Sequence, residues 1–282
     1  CGCYNSEMNK EKKGCIGVFD SGFGGLHVLR SIVKTLPEYN YMYLGDTARM
    51  PYGTRSKHVV HEFTMQAVDF LLKRGCEIVI LACHTASSSA LRKIQQIYLP
   101  AKYPNKRVLG VLIPTVEESV EKTKNGRIGV IATEGTVASG AFTQELKKLN
   151  SDIKVFEKAC PLLVPVVEAG EHNSEATEIV LKQYINPILK KNIDTLILGC
   201  THYGILEPRI KKITGDSVKI IHSAGAVPQK LKTYLENHPD IRQRLGAQGR
   251  ILFYSTDLSP RFKTLGSRFF GKDIKVQKIS LL

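Results

Sequence analysis

Short apolar runs alternate with longer amphipathic segments along almost the whole of this chain. This alternation predicts parallel β-sheets built from βαβ units, with helices covering both faces. The predicted strands are residues 15–19, 41–44, 78–82, 108–113, 128–132, 153–156, 195–198, 218–221 and 251–255. The clearest predicted helices are residues 26–35, 59–74, 87–98, 140–149 and 173–190.

The chain contains a weak internal repeat. The run Ile16-Gly-Val-Phe-Asp-Ser-Gly resembles Ile128-Gly-Val-Ile-Ala-Thr-Glu-Gly, and two cysteine-bearing runs recur at a similar offset. Near-equal offsets predict two similar doubly wound α/β domains that are related by a pseudo-twofold axis. Because residues 98–107 contain two prolines, we place the first boundary there. We therefore expect a polar tether at 1–14, a first domain at 15–105 plus 228–282, and a second domain at 106–227.

Two of the predicted strands lead directly into a cysteine. They are Glu77-Ile-Val-Ile-Leu-Ala-Cys83-His84-Thr85 and Asp194-Thr-Leu-Ile-Leu-Gly-Cys200-Thr201-His202. Ligands bind at the carboxyl ends of strands in open α/β sheets, so the pair predicts two thiol acid/bases that face one substrate. Cys83 would also begin a helix, a position that lowers the pKa of a thiol from about 8.5. For either cysteine alone, packing as a small apolar side chain is the alternative.

Two loops after strands have the composition of ligand-contact loops. Asp20-Ser21-Gly22-Phe23-Gly24-Gly25 opens a helix whose amides suit an anion such as a carboxylate. It is not a dinucleotide fingerprint, because His27 stands where the third glycine is needed. The second loop is Gly45-Asp46-Thr47-Ala48-Arg49-Met50-Pro51-Tyr52-Gly53. An ordinary turn is the alternative for each loop.

Other polar residues lie next to predicted strands or buried segments. Glu168 ends the apolar run that starts at Pro161, and its side chain points either into a cleft or to solvent. Thr133 and Thr136 follow the strand at 128–132 and offer hydroxyls to a substrate carboxylate. No metal site is predicted, since the sequence has no C-x-x-C pair of the kind that holds structural zinc.

Charge and cysteine content limit the classes of partner. The formal net charge of +14 attracts anions, including small dicarboxylates, anionic lipid and nucleic acid. No zinc-finger or RNP-type motif accompanies this charge, so we expect no specific nucleic-acid partner. Seven cysteines, an odd number, do not indicate a disulfide scaffold. Cys1 followed by a polar stretch is similar to the start of a processed lipoprotein, so a membrane anchor at Cys1 is one of two expected locations.

Six ordered motifs resemble the cofactor-independent glutamate racemases of the aspartate/glutamate racemase superfamily. They occupy residues 16–25, 45–53, 81–86, 128–139, 161–170 and 198–203. The resemblance implies a two-domain α/β fold with the active site in the interdomain cleft. It also implies that one thiolate removes the α-proton of glutamate while the other thiol reprotonates the opposite face, without pyridoxal phosphate or metal.

The resemblance assigns roles to individual residues. Cys83 and Cys200 would be the two acid/bases, assisted by Asp20, Glu168 and His202. The expected substrate contacts are Asp20, Ser21, Asp46, Pro51, Tyr52, Gly53, His84, Thr85, Thr133, Thr136, Thr201 and His202. We further expect a homodimer, and a cytoplasmic location if the product is D-glutamate for peptidoglycan synthesis.

Three positions depart from the pattern of this family. His84 replaces an asparagine, Gly204 replaces a proline, and His222 replaces an aspartate. An imidazole is bulkier than an amide and is able to carry a charge, so His84 leaves open a racemase for aspartate or for a broader set of acidic amino acids. A binding or scaffolding protein that has the fold but has lost turnover is the alternative from another class.

Overall fold

The computed structural model describes residues 13–258 and 260–281, in which ten strands form two parallel sheets. The strands are β1 Cys15–Asp20, β2 Tyr41–Gly45, β3 Cys76–Leu81, β4 Arg107–Gly110, β5 Arg127–Ala132, β6 Lys154–Ala159, β7 Thr195–Gly199, β8 Lys219–His222, β9 Ile251–Ser255 and β10 Val276–Lys278. Short apolar runs form these strands because both faces of a parallel sheet are covered by helices.

Helices connect successive strands, as parallel pairing requires. They are α1 Gly25–Thr35, α2 Lys57–Lys73, α3 His84–Lys93, α4 Leu99–Lys102, α5 Leu112–Lys122, α6 Glu134–Ala138, α7 Ala141–Leu149, α8 Leu163–Glu168, α9 Glu175–Leu189, α10 Glu207–Thr214, α11 Ser223–Asn237, α12 Pro239–Arg242 and α13 Pro260–Phe270. Shorter 3₁₀ segments lie at Tyr52–Thr54 and Thr201–Leu206. No helix of the described residues combines the length and apolarity that crossing a bilayer requires.

The two sheets share one strand order. The larger sheet runs β10-β9-β2-β1-β3-β4, and the smaller sheet runs β6-β5-β7-β8. The order β2-β1-β3-β4 in the first sheet therefore matches β6-β5-β7-β8 in the second. β3 and β7, which precede the two cysteines, occupy equivalent places. This correspondence is the structural form of the internal repeat, and it gives the two-domain α/β fold that the sequence predicts.

The structure corrects three details of the predicted organisation. β4 pairs with β3 in the larger sheet, so a boundary at 105/106 would cut it from its own sheet and must lie after Gly110. Residues 112 and 113 begin α5 instead of extending β4, because Pro114 suits the first turn of a helix. β10, which the sequence analysis missed, adds an edge strand beside β9.

The predicted tether falls almost entirely outside the described residues. At its end, the Gly14 N–H donates to the carbonyl of Arg244 at 2.8 Å, and Gly14 forms a parallel bridge with Leu245. Gly14 therefore belongs to the folded part of the chain. The Cys1 lipid-anchor prediction lies outside the described residues, and the remaining domain limits stay predictions.

Candidate active site

The segments that follow the strands of both sheets meet around one cavity of about 310 Å³. β1, β3, β5, β6 and β7 each deliver a side chain to it at or just beyond their carboxyl ends, where open α/β sheets bind ligands. The lining residues are Ser21, Met50, Pro51, Tyr52, Gly53, Thr54, Cys83, His84, Thr85, Thr133, Glu134, Cys160, Pro161, Val164, Pro165, Glu168, Cys200, Thr201 and His202. Both predicted thiols therefore face a shared cavity.

Cys83 lies at the start of α3, two residues beyond β3. Its Sγ accepts hydrogen bonds from the Ser21 hydroxyl and the Ala86 N–H, each at 3.5 Å. Burial nevertheless raises the pKa of Cys83 to about 12, and the nearby carboxyl of Asp20 acts in the same direction. The predicted lowering of this pKa is therefore wrong, because desolvation outweighs the helix terminus. Cys83 is held as a protonated thiol.

Cys200 has a different electrostatic environment. Its Sγ lies 3.9 Å from Nδ1 of His202, whose Nε2 lies 3.2 Å from Oε1 of Glu168. Burial alone would lower the pKa of His202, but its interactions with Cys200 and Glu168 outweigh burial and raise the pKa to about 10. At neutral pH, His202 is therefore an imidazolium between a carboxylate and a sulfur.

Asp20 connects the two thiol environments from behind the cavity wall. It is fully buried, and it accepts hydrogen bonds from the Gly22 N–H at 2.9 Å and from the Thr201 hydroxyl at 3.1 Å. Burial raises the pKa of Asp20, while the charge of His202 opposes that shift. Asp20 thus fixes the loop after β1 to the loop after Cys200. Its carboxyl group interacts electrostatically with both His202 and Cys83.

Three threonine hydroxyls form a triangle where the two halves of the site meet. Thr85 Oγ1 lies 3.0 Å from Thr133 Oγ1 and 3.1 Å from Thr136 Oγ1, and the last two are 3.0 Å apart. Thr85 follows β3, whereas Thr133 and Thr136 follow β5. Rotatable hydroxyls suit a carboxylate, because each is able to donate to it without adding charge.

Asp46 supports the loop that carries Pro51, Tyr52 and Gly53. The Tyr52 hydroxyl and the Arg49 guanidinium donate to Oδ2 of Asp46, and the Thr256 hydroxyl donates to Oδ1 at 2.8 Å. Asp46 itself is fully buried and does not line the cavity. Its contacts make it a positioning residue for this wall of the site.

His84 is a buried polar side chain without an internal partner. It is 1% exposed, it stacks on Phe142, and neither ring nitrogen has a hydrogen-bond partner. Burial lowers the pKa of His84 to about 3, with a smaller contribution from His222, so the ring is neutral at pH 7. Because unsatisfied buried nitrogens are costly, a lining residue of this kind is suited to bind a ligand.

Most of the predicted site residues line the cavity. Asp20, Asp46 and Thr136 do not; each is fully buried directly behind a residue that does. Cys160 and the apolar wall of Met50, Val164 and Pro165 also line the cavity and were not predicted from the sequence. Cys160 follows β6 as Cys83 and Cys200 follow their strands, but the predicted strand ended at residue 156 and hid that signal. Proline and valine gave no chemical signal of a site.

Comparison with known proteins places this geometry in a family. Residues 16–230 match the profile of the Asp/Glu/Hydantoin racemase family. The chain belongs to this family. It is 42% identical over 267 residues to a glutamate racemase from Persephonella marina, covering 94% of this chain and 97% of that one. It is 41% identical to the glutamate racemase of Aquifex pyrophilus, covering 93% and 96% of the two chains.

Solved structures of the family share the fold. A glutamate racemase isoform from Bacillus anthracis superposes with a TM-score of 0.88 at 36% identity, covering 96% of this chain and 99% of that one. A glutamate racemase from Francisella tularensis in complex with D-glutamate gives a TM-score of 0.86 at 33% identity, covering 95% and 98%. Near-complete coverage of both chains means that the two-domain arrangement is common to them.

Proposed function

We propose that this protein interconverts L- and D-glutamate by two-base proton transfer at Cα, with Cys83 and Cys200 as the two acid/bases. The observation that carries the proposal is the meeting of both thiols at one cavity, each from the equivalent strand of its own sheet. Inversion requires a base on one face of the α-carbon and an acid on the other. The intact thiol pair and the glutamate racemase relatives favour this function over aspartate racemisation or a non-catalytic scaffold.

The two electrostatic environments suggest the resting protonation state. Cys83, with a raised pKa, holds its proton, and the imidazolium of His202 lies beside the sulfur of Cys200. In this state Cys200 removes the α-proton from one enantiomer while Cys83 donates a proton to the opposite face. The turnover leaves Cys83 as thiolate and Cys200 as thiol, the state that acts on the other enantiomer. Ser21 and the Ala86 N–H donate to the Cys83 thiolate when it forms.

Substrate charge is balanced without a lysine or arginine, since none is present among the described residues that line the cavity. We assign the substrate carboxylates to the hydroxyls of Thr85 and Thr133 and to the backbone amides that begin α3. Donors fixed in this way also stabilise the charge that develops as the α-proton leaves. His202 supplies the one cation of the lining, and Glu168 holds it in place.

The biological role follows from the product. D-glutamate serves peptidoglycan precursor synthesis, so we propose a cytoplasmic location. Mass spectrometry of the native N-terminus tests it, because an acylated Cys1 would place the protein at a membrane instead. The homodimer stays a prediction that light scattering of the purified chain would check.

The decisive test is exchange of the α-hydrogen in heavy water with single-thiol variants. In Cys83→Ala and Cys200→Ala, racemisation should stop in both directions, falling by at least about 10³-fold. Each variant should still exchange the α-hydrogen of one enantiomer, because one base remains on one face. We expect Cys83→Ala and Cys200→Ala to exchange opposite enantiomers, as followed by proton NMR of L- and D-glutamate.

The matched control is Cys160→Ala, which removes a third cavity-lining thiol that has no partner histidine. We expect this variant to exchange both enantiomers. If the Cys83 and Cys200 variants exchange the same enantiomer, the thiols do not lie on opposite faces of the substrate and the mechanism is wrong. If neither change lowers racemisation, these cysteines are not the bases.

A further inference from the structure

Two cysteines that the proposed mechanism does not use lie in contact at the opposite end of the larger sheet. Cys15 is the first residue of β1, and Cys76 is the first residue of β3. Their Sγ atoms are 3.3 Å apart, so one thiol donates to the other. Both are free thiols, and the cavity residues Ser21 and Cys83 lie beyond the far ends of the same two strands.

The backbone brings the two residues within the range of a disulfide. β1 and β3 are parallel neighbours in which Cys15 is the register partner of Cys76. Adjacent strands lie about 4.8 Å apart, and disulfides join Cα atoms about 4.4–6.8 Å apart. The β1–β3 register shifts between Cys15 and Ile16, so the Cys15–Cys76 pair lies outside the regular hydrogen-bonded ladder of the two strands. Bonding therefore needs the sulfurs to close from 3.3 Å to about 2.0 Å.

The two thiols differ in exposure and charge. Cys76 is fully buried and Cys15 is partly exposed. The hydrogen bond with Cys76 lowers the pKa of Cys15, and Lys106 acts in the same direction, against burial and Glu77. The same hydrogen bond, together with burial, raises the pKa of Cys76. Cys15 is thus the more accessible of the two thiols and the one whose pKa is lowered, whereas the pKa of Cys76 is raised.

We propose that Cys15 and Cys76 form a reversible redox pair that closes an intramolecular disulfide when the protein meets a hydroperoxide. The Cys15 thiolate attacks the terminal peroxide oxygen and breaks the O–O bond, which gives Cys15 sulfenic acid and releases the other oxygen as hydroxide from hydrogen peroxide or as alkoxide from an organic hydroperoxide. The Cys76 sulfur then attacks the sulfenic sulfur, and the departing oxygen leaves as water with the Cys76 proton. Two sulfurs are each oxidised by one electron, and the peroxide accepts both. A small thiol reverses the step by exchange.

The location of the pair gives the disulfide a structural effect. It would join the starts of β1 and β3, which carry Ser21 and Cys83 beyond their other ends. A cross-link between strands 61 residues apart restricts the unfolded chain and so favours the folded state. The bond forms at the sheet end away from the cavity, so it leaves the substrate site unblocked.

The test is a peptide map of the whole chain after brief treatment with hydrogen peroxide and alkylation with iodoacetamide. We expect a linked peptide containing Cys15 and Cys76, about 2 Da lighter than the two reduced peptides together, that disappears with dithiothreitol. The urea midpoint of the oxidised protein should be higher than that of the reduced protein, and reduction should reverse the shift.

Two variants make the outcome specific. In the Cys76→Ser variant, Cys15 should stop at the sulfenic acid and react with dimedone. In the Cys15→Ser variant, the remaining thiol of Cys76 should stay reduced. Both variants should keep wild-type activity when reduced, because neither residue lines the cavity. The proposal fails if wild-type Cys15 is converted to sulfinic acid without a link, stays reduced, or links to a cysteine other than Cys76. These readouts do not depend on racemase activity.

Discussion

At the scale of single residues, the site keeps polar atoms that contribute nothing to folding. Both ring nitrogens of His84 are buried without a partner, and the neutral ring is stacked on Phe142. An unsatisfied buried polar group costs about 1–3 kcal/mol, so replacing it with an apolar group of similar size is neutral or stabilising. The presence of an unsatisfied histidine at this position is explained if the substrate supplies the hydrogen bonds that its ring nitrogens lack.

We therefore predict opposite effects of His84→Leu on stability and on activity. The free energy of unfolding should stay constant or rise by about 1 kcal/mol, because a buried unsatisfied group is removed. The value of kcat/KM for glutamate should fall at least about tenfold, because a hydrogen bond to a charged substrate is lost. Urea titration and a chiral assay measure the two quantities.

His84→Asn is the matched control, since an amide also donates and accepts hydrogen bonds. It should retain more activity than His84→Leu. A leucine variant that is less stable yet fully active would mean that His84 serves packing alone.

Candidate residues can be read from the sequence where reactive side chains follow the ends of strands. Cys83, Cys200 and His202 were selected because each follows a strand directly or nearly so, and all three line the cavity. The protonation state of Cys83 was not predicted correctly, because it depends on how deeply the folded protein buries the thiol. Sequence specifies the helix start but not the depth of burial, and burial decides the pKa here.

At the scale of elements, the site depends on one close approach between the two halves of the molecule. Gly24 precedes α1, and a Cβ placed on it would lie 2.3 Å from Oγ1 of Thr201 in the segment after Cys200. No side chain fits there without displacing that segment. Gly24 is therefore required by its contact with the second domain. The sequence of its own loop does not reveal this requirement.

Gly24→Ala should displace the Cys200 segment and lower both stability and activity. Overpacking of this kind costs roughly 1–3 kcal/mol, and a misplacement of about 1 Å at a catalytic group lowers the rate by about 10²-fold. Denaturant titration and kcat measure the two effects.

Gly225→Ala is the matched control in the first turn of α11. The nearest atom to a Cβ there is 3.6 Å away, which is ordinary contact. We expect this variant to be as stable as wild type or slightly more stable, since alanine favours a helix over glycine. Equal behaviour of the two variants would show that the Gly24 contact does not constrain the site.

The element order was largely predictable, because period and length separate strands from helices in an α/β chain. All nine predicted strands form, with limits that shift by a few residues. β10 escaped prediction because it is a three-residue edge strand with two exposed positions. The β4 boundary error arose because a proline-containing linker was taken as the crossing, whereas the chain crosses one strand later.

At the scale of the whole molecule, buried histidines make stability depend on pH in both directions. Burial lowers the pKa of His84 to about 3 and that of His27 to about 4, so at these two positions the unfolded chain binds more protons than the folded chain below about pH 6.5. Stability from these neutral rings is lost as pH falls. His202 behaves oppositely, because its pKa is raised to about 10, and its contribution is lost as pH rises through that value.

We predict that the free energy of unfolding decreases between pH 7 and pH 5. At pH 5 the unfavourable contribution of His84 is roughly 2 kcal/mol, from a pKa near 6.5 in the unfolded chain. In His84→Leu the loss between the two pH values should be smaller by about that amount. Urea titrations of both proteins at pH 5 and pH 7 measure it, and equal losses would mean that His84 takes up a proton without unfolding.

The placement of β9 and β10 has a consequence for synthesis on the ribosome. All four strands of the smaller sheet lie between Arg127 and His222, whereas β9 and β10, which form one edge of the larger sheet, begin only at Ile251. Until β9 emerges, the edge of β2 has no pairing strand, although β1 and β3 were translated long before. A nascent chain paused in this interval exposes an open sheet edge, so chaperone capture is expected there, and the emergence of β9 is what completes the pairing of β2.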